Sequence, residues 1–432
     1  MAQGTIKGDR AFPRSTERII ALDAARGIAL LVACIAHFPV MQFLGEHPQK
    51  NMLLLDLLQI TKLATPTFIF VSSMVLGYLC GVPRKDGQQF RVRLFDRAIF
   101  LATVGHCLMA ITLMKAPQNF LTALSRGYVT DTIAYCVIGS LLVLPYTKPL
   151  MRVQMGIGLY VISWAGWTLW HPDSSGLMLS KGILLGPDEM GDDIFGFPLL
   201  PWFAVYLSGT SIGEWLSRFD GEALALAGKN LAKHSGVVLF VAVMMYGALQ
   251  VFIKVHHSAG LLELYSRIRV LVSPTIKYPP GPYYLLVFGS MALLLIGSAL
   301  WKMRETHNER WLRCLQILEQ VGRNSFPLFI IHFLIYGPLF VLVVTRTQAM
   351  TPARGVLFLL LSLLGIIALG VLCNRFRVNR FLTVGLFAIT KQWPILSRSI
   401  PITPTRHPIV LNSEIQIDCS SAASGPKSDK AA

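Results

Sequence analysis

About ten stretches of this chain are apolar for long enough to cross about 30 Å of hydrocarbon, a distance that takes about 20 helical residues. No other feature of the sequence narrows the fold so far. They fall near 19–40, 57–81, 97–114, 132–147, 154–170, 197–216, 235–253, 283–300, 325–345 and 354–373. The last contains GVLFLLLSLLGIIALGVLC, without one charge. Lipid offers the backbone no hydrogen-bond partner, so a spanning segment must be a helix or part of a closed barrel. Continuous runs of this length are helical. The expected fold is therefore all-α: a polytopic integral membrane bundle of about ten transmembrane helices. Charged residues are 14% of the chain, against about 25% in soluble domains.

A net charge of +16 would suggest a nucleic-acid partner in a soluble chain. Here the positive-inside rule accounts for it and no such partner is expected. With a cytoplasmic N-terminus, about 27 of the 39 Lys and Arg fall on the inner side and about 10 on the outer, with Arg26 and Lys62 in the membrane. The outer loop 171–196 is acidic, as the same orientation requires. Both termini are thus expected in the cytoplasm. The first run lacks a small-residue cleavage site and outlasts a signal peptide, so it reads as a retained helix. Residues 1–17 form a basic arm, 18–400 one membrane domain, and 401–432, ending CSSAASGPKSDKAA, a disordered tail. No repeat is visible. Seven cysteines without CxxC spacing read as free thiols, with no metal implied.

The first span poses the sharpest question. Its sequence IALDAARGIALLVACIAHF carries Asp23, Arg26 and His37 among apolar residues. At about 100° per residue, His37 returns to within about 20° of Arg26, and Asp23 lies about 60° from it. One face therefore holds all three groups. Asp23 and Arg26, three residues apart, can pair. His37 stands roughly 16 Å further along the axis. Ionisable groups at membrane depth are costly and mark function by default.

Other positions carry weaker signals. Ser325 and His332 are seven residues apart and share a face of the ninth run; Asn324 precedes it as a natural N-cap. His106 carries no motif and reads as packing. Lys62 can snorkel to the interface. Gly209 and Gly213 have small-xxx-small spacing, which suits close helix packing. Trp164, Trp167 and Trp170 read as an interfacial belt. The segment IKYPPGPYYL before the eighth run cannot be helical; a cavity mouth and a rigid connector are equally consistent with it.

LDAARGIALLVACIAHF resembles the opening signature of the transmembrane acyltransferases, a DxxRGxA block with a histidine about ten residues on. LATPTFIFVSSMVLGY resembles their second-helix block, with Ser73 where glycine is common. FPLLPWFAVYLSGTSIGEWL, KYPPGPYYL and VGRNSFPLFIIH resemble blocks of the heparan-α-glucosaminide N-acetyltransferase-like branch and its bacterial relatives of unassigned function. Ala36 and Ile330 depart from the usual acidic and aromatic residues. The resemblance implies a multi-pass protein of a bacterial cytoplasmic (inner) membrane, with the bilayer as partner and a second copy of the chain as a candidate partner. It implies an acyltransferase using acyl-CoA, most often acetyl-CoA, and a glycan or sugar-like acceptor at the outer face. On that reading His37 is general base or transient acyl carrier, with His332 and Asp23 as further catalytic candidates. Arg26, Asn324 and Ser325 are candidate donor-binding residues. Rival readings are a sister-branch O-acyltransferase of surface polysaccharide, a small-solute transporter and a silent membrane scaffold.

Overall fold

The computed structural model describes residues 20–38, 59–82, 87–113, 117–187, 197–256, 271–274, 276–305, 309–339 and 352–376, with the single positions 263, 265 and 269. The basic arm and the tail lie outside the described residues. Every element described is helical, as the apolar runs require, and helices occupy all ten expected positions. Seven are long and apolar enough to cross a membrane. The other three are Pro149–Leu169, Leu199–Leu216 and the shorter Ser325–Gly337.

We number the principal helices α1 (Ile20–His37), α2 (Ala64–Gly81), α3 (Gly87–Leu113), α4 (Val129–Val143), α5 (Pro149–Leu169), α6 (Ser175–Leu184), α7 (Leu199–Leu216), α8 (Gly221–Val255), α9 (Ser290–Glu305), α10 (Glu309–Arg323), α11 (Ser325–Leu334) and α12 (Pro352–Arg375). A wide π turn at Leu101–Gly105 interrupts α3. Two helices are longer than their apolar runs. α3 begins ten residues early, and α8 has 35 residues, about 52 Å at 1.5 Å each. Its first turns, with Lys229 and Lys233, therefore extend past the hydrocarbon. There Lys229 and Lys302 of α9 flank the Trp301 ring.

α2 packs on α7, α7 on α5, α8 on α9, and α1 on both α2 and α10. Water gives no driving force for association between helices in lipid, so close backbone approach must supply the contact. A Cβ at Gly77 would lie 1.9 Å from the Thr210 carbonyl oxygen, and one at Gly213 2.0 Å from that of Met74. The small-residue spacing of α7 is thus a packing device, as expected. α1 crosses α10 equally closely, with Gly322 against the Asp23 carbonyl and Gly27 against that of Leu318. This crossing leaves Asp23 buried and Arg26 partly buried at the start of the stripe, while His37 at its far end stays exposed.

Three expectations need correction. Trp164 is buried, and its indole donates to the Pro280 carbonyl at 3.2 Å while that of Trp167 donates to Pro187 at 3.1 Å. These two rings anchor loops at the end of α5, a tie that the belt reading alone did not foresee. Arg152, counted among the inner cations, is fully buried and pairs with Glu214 and Thr210 of α7. Asn324 precedes α11 but makes no side-chain cap. Its side-chain amide instead donates to the carbonyls of Gln320 (2.7 Å) and Gly370 (3.2 Å). It ties α10 to α12.

Candidate active site

α1 carries the site along one face. At its start the Arg26 guanidinium donates to the Asp23 carboxylate at 2.8 Å, the pair expected from their spacing. Asp23 is buried and Arg26 partly so. An ion pair sunk among helices loses hydration that mutual attraction only partly offsets. Its cost is bearable where the remaining guanidinium donors have something to meet. They face a cavity of about 170 Å³ lined by Arg26, Ser72, Thr130 and Ser325 with aromatic walls from Phe68, Phe326 and Phe329. Two of the expected donor-binding residues, Arg26 and Ser325, therefore meet in one space although 299 positions separate them in sequence. Asn324 is not among its lining residues.

Hydroxyl groups supply most of the cavity's remaining polarity. The Ser72 and Tyr206 hydroxyls share a hydrogen bond at 3.1 Å, which places Tyr206 of α7 behind the wall. Thr130 is buried on the cavity wall, and its hydroxyl lies beside the Asp131 carboxylate.

The other end of the α1 face meets α11. The His37 ring packs on those of His332 (centroids 5.4 Å apart) and Phe333 (4.8 Å). His37 keeps accessible surface, whereas His332 is 0% exposed. Among the described residues its ring nitrogens meet only the backbone carbonyls of Leu328 and Phe329, one turn back on its own helix, off ideal hydrogen-bond geometry. Phe329 touches His332, with ring centroids 4.9 Å apart, and also lines the cavity. The cavity and the histidine pair are thus neighbours through one aromatic side chain. The apolar rings give a low-dielectric surrounding in which each polar contact counts for more.

His106 does more than pack. Its Nδ1 lies 2.8 Å from the Asp131 carboxylate and its Nε2 2.7 Å from the Leu124 carbonyl. Asp131 also accepts the Tyr128 N–H at 2.8 Å. This latch holds the segment before α4, whose first turns form one cavity wall.

Sequence reasoning passed over Ser72, Thr130, Tyr206 and Lys277. Lys277 lies in the KYPPGP segment, within Coulombic range of His37 and of Lys62. Its conspicuous neighbours were the prolines, and a lone lysine before them carried no pattern.

The first half of the sequence matches a known family. The model of the heparan-α-glucosaminide N-acetyltransferase catalytic domain matches residues 18–246. The chain belongs to that family. Membership makes it a membrane protein of acetyltransferase type, in agreement with its apolar helices. The match covers α1 through most of α8, including Asp23, Arg26 and His37; Lys277, Ser325 and His332 lie beyond it. No curated protein and no solved structure is similar enough to match.

Proposed function

We propose that the protein transfers an acetyl group from cytoplasmic acetyl-CoA to an amine or hydroxyl of a glycan or sugar-like acceptor at the outer face. The observation that carries this reading is the shared α1 face: a cavity at the Arg26 end and, past Phe329, which borders both, the His37–His332 pair. Drug-sized sites run to about 300–1,000 Å³. A space of about 170 Å³ suits a slender arm such as pantetheine, with the nucleotide outside. Its aromatic walls suit the arm's methylenes and its hydroxyls the arm's amides.

In this mechanism Asp23 orients Arg26, and Arg26 meets the donor's negative charge. His37, the accessible member of the pair, takes the acceptor's proton as the new bond forms. His332, packed on the His37 ring, hydrogen-bonds the donor near its thioester. Both termini lie in the cytoplasm and the chain is a multi-pass protein of a bacterial inner membrane.

The test is transfer from labelled acetyl-CoA in reconstituted vesicles. His37→Ala and His332→Ala are each expected to lower kcat by at least about 100-fold, the scale of general acid–base and positioning effects. Full turnover in both variants overturns the reading. Solute flux in vesicles without any acyl donor would favour a transporter instead.

A further inference from the structure

The loop Ile276–Gly281 is held from several sides. The Pro280 carbonyl accepts from Tyr160 at 2.7 Å and Trp164 at 3.2 Å, both on α5. The Gly281 N–H closes the loop onto the Ile276 carbonyl at 3.2 Å. Tyr284, just after it, donates to the Lys62 carbonyl at 3.0 Å and so joins the loop to the start of α2. A plain connector would need only these backbone ties.

This loop also presents a cation. The Lys277 ammonium lies 5.2 Å from the Phe197 ring centroid and 4.9 Å from that of Tyr278, within the range of cation–π attraction. Among the described residues no carboxylate pairs with it. It is half-buried and lies within Coulombic range of His37. A half-buried cation set against two rings, with no carboxylate partner among the described residues and within Coulombic range of His37, is arranged for negative charge that arises only during reaction.

The geometry points to Lys277 as the group that holds the oxyanion formed on the donor's carbonyl when the acceptor attacks. The inference rests on the acetyl-transfer reading of the same site. The acceptor's lone pair forms a bond to the thioester carbon, the C=O π pair moves to oxygen, and His37 takes the acceptor's proton. Lys277 donates a hydrogen bond to that oxygen and remains protonated. The C=O then re-forms, the C–S bond breaks, and the departing CoA thiolate takes the proton from His37. Every proton and electron pair is accounted for, and no further reactant is required.

Burial and the nearby Lys62 push the Lys277 ammonium down from 10.5 to about 7. The titratable groups that face it are Lys62 at the start of α2, His37 on α1 and Tyr278 on its own loop. A depressed lysine is a cation below that value and loses its charge as pH rises through it. The wild-type kcat is therefore expected to fall above about pH 7.

The experiment compares Lys277→Met and Lys277→Arg in vesicles, with kcat, acetyl-CoA KM, CoA-induced thermal stabilisation and a pH profile. Lys277→Met is expected to lose about 10²–10³ in kcat, as on removal of one oxyanion donor, with the KM and the stabilisation by CoA unchanged. Lys277→Arg is expected to keep most of kcat and to lose the fall above pH 7, since arginine stays charged. Unchanged kcat in Lys277→Met overturns the assignment, as does equal loss in both variants or loss of CoA stabilisation. The His37 and His332 variants decide the underlying reading separately, because they can inactivate the enzyme whatever Lys277 does.

Discussion

The two faces of α2 are built for opposite purposes. One face, with Gly77, Met74 and Ser73, is pressed against α7 until backbones touch. The other, with Phe68 and Ser72, stands back from α3, α4 and α11 and leaves a cavity. Both belong to one helix of even apolar character, and the difference lies in side-chain size. Glycine lets carbonyls approach and leaves no room; phenylalanine props neighbours apart, and the hydroxyls beside it offer hydrogen bonds to whatever enters. In lipid, where apolar burial does not distinguish helix from helix, size and polarity do that work.

That contrast can be broken from either side. Gly77→Val has the largest expected effect, because its Cβ would collide with the Thr210 carbonyl. Overpacking of this kind costs about 3 kcal/mol, read as a fall in Tm and in folded yield in detergent. Normal stability would mean that the α2–α7 approach is looser than described. Next comes Ser72→Leu, which fills the cavity from the open face. The acetyl-CoA KM should rise about tenfold, equivalent to 1.4 kcal/mol, with a smaller fall in Tm than for Gly77→Val, since the buried Tyr206 hydroxyl loses its partner. An unaltered KM would remove the cavity from the donor's path. The smallest effect belongs to Ser73→Gly. Ser73 is buried on the sealed face, where its hydroxyl donates to the Phe70 carbonyl at 2.9 Å and abuts Gly209. Its replacement relieves crowding but weakens the helix, so the change should stay under about 1 kcal/mol; a larger loss would make that hydroxyl a needed contact.

Much of this architecture was open to a reader of the sequence. The length of the apolar runs places the helices because hydrocarbon thickness is fixed, and the 3.6-residue period places Asp23, Arg26 and His37 on one stripe because that period is a property of a single helix. The Asp23–Arg26 pair and the close packing at Gly209 and Gly213 follow from spacings of three and four residues. Where local rules failed, a distant partner intervened. Asn324 has the sequence of a cap, yet its amide serves Gly370, 46 residues away. Trp164 looks like an interfacial residue, yet Pro280, 116 residues away, takes its N–H.

What only the tertiary structure decided is which groups share a space. Arg26 meets Ser325, His37 meets His332, and Lys277 comes within reach of both His37 and Lys62. Each meeting depends on how helices cross, and the α1–α10 crossing is set by Gly27 and Gly322, neither of which lines the cavity. Helical periodicity records the direction of a side chain around its own axis; it carries no information about which neighbour stands there. That is why the stripe on α1 was legible in the sequence, whereas the cation facing it was not.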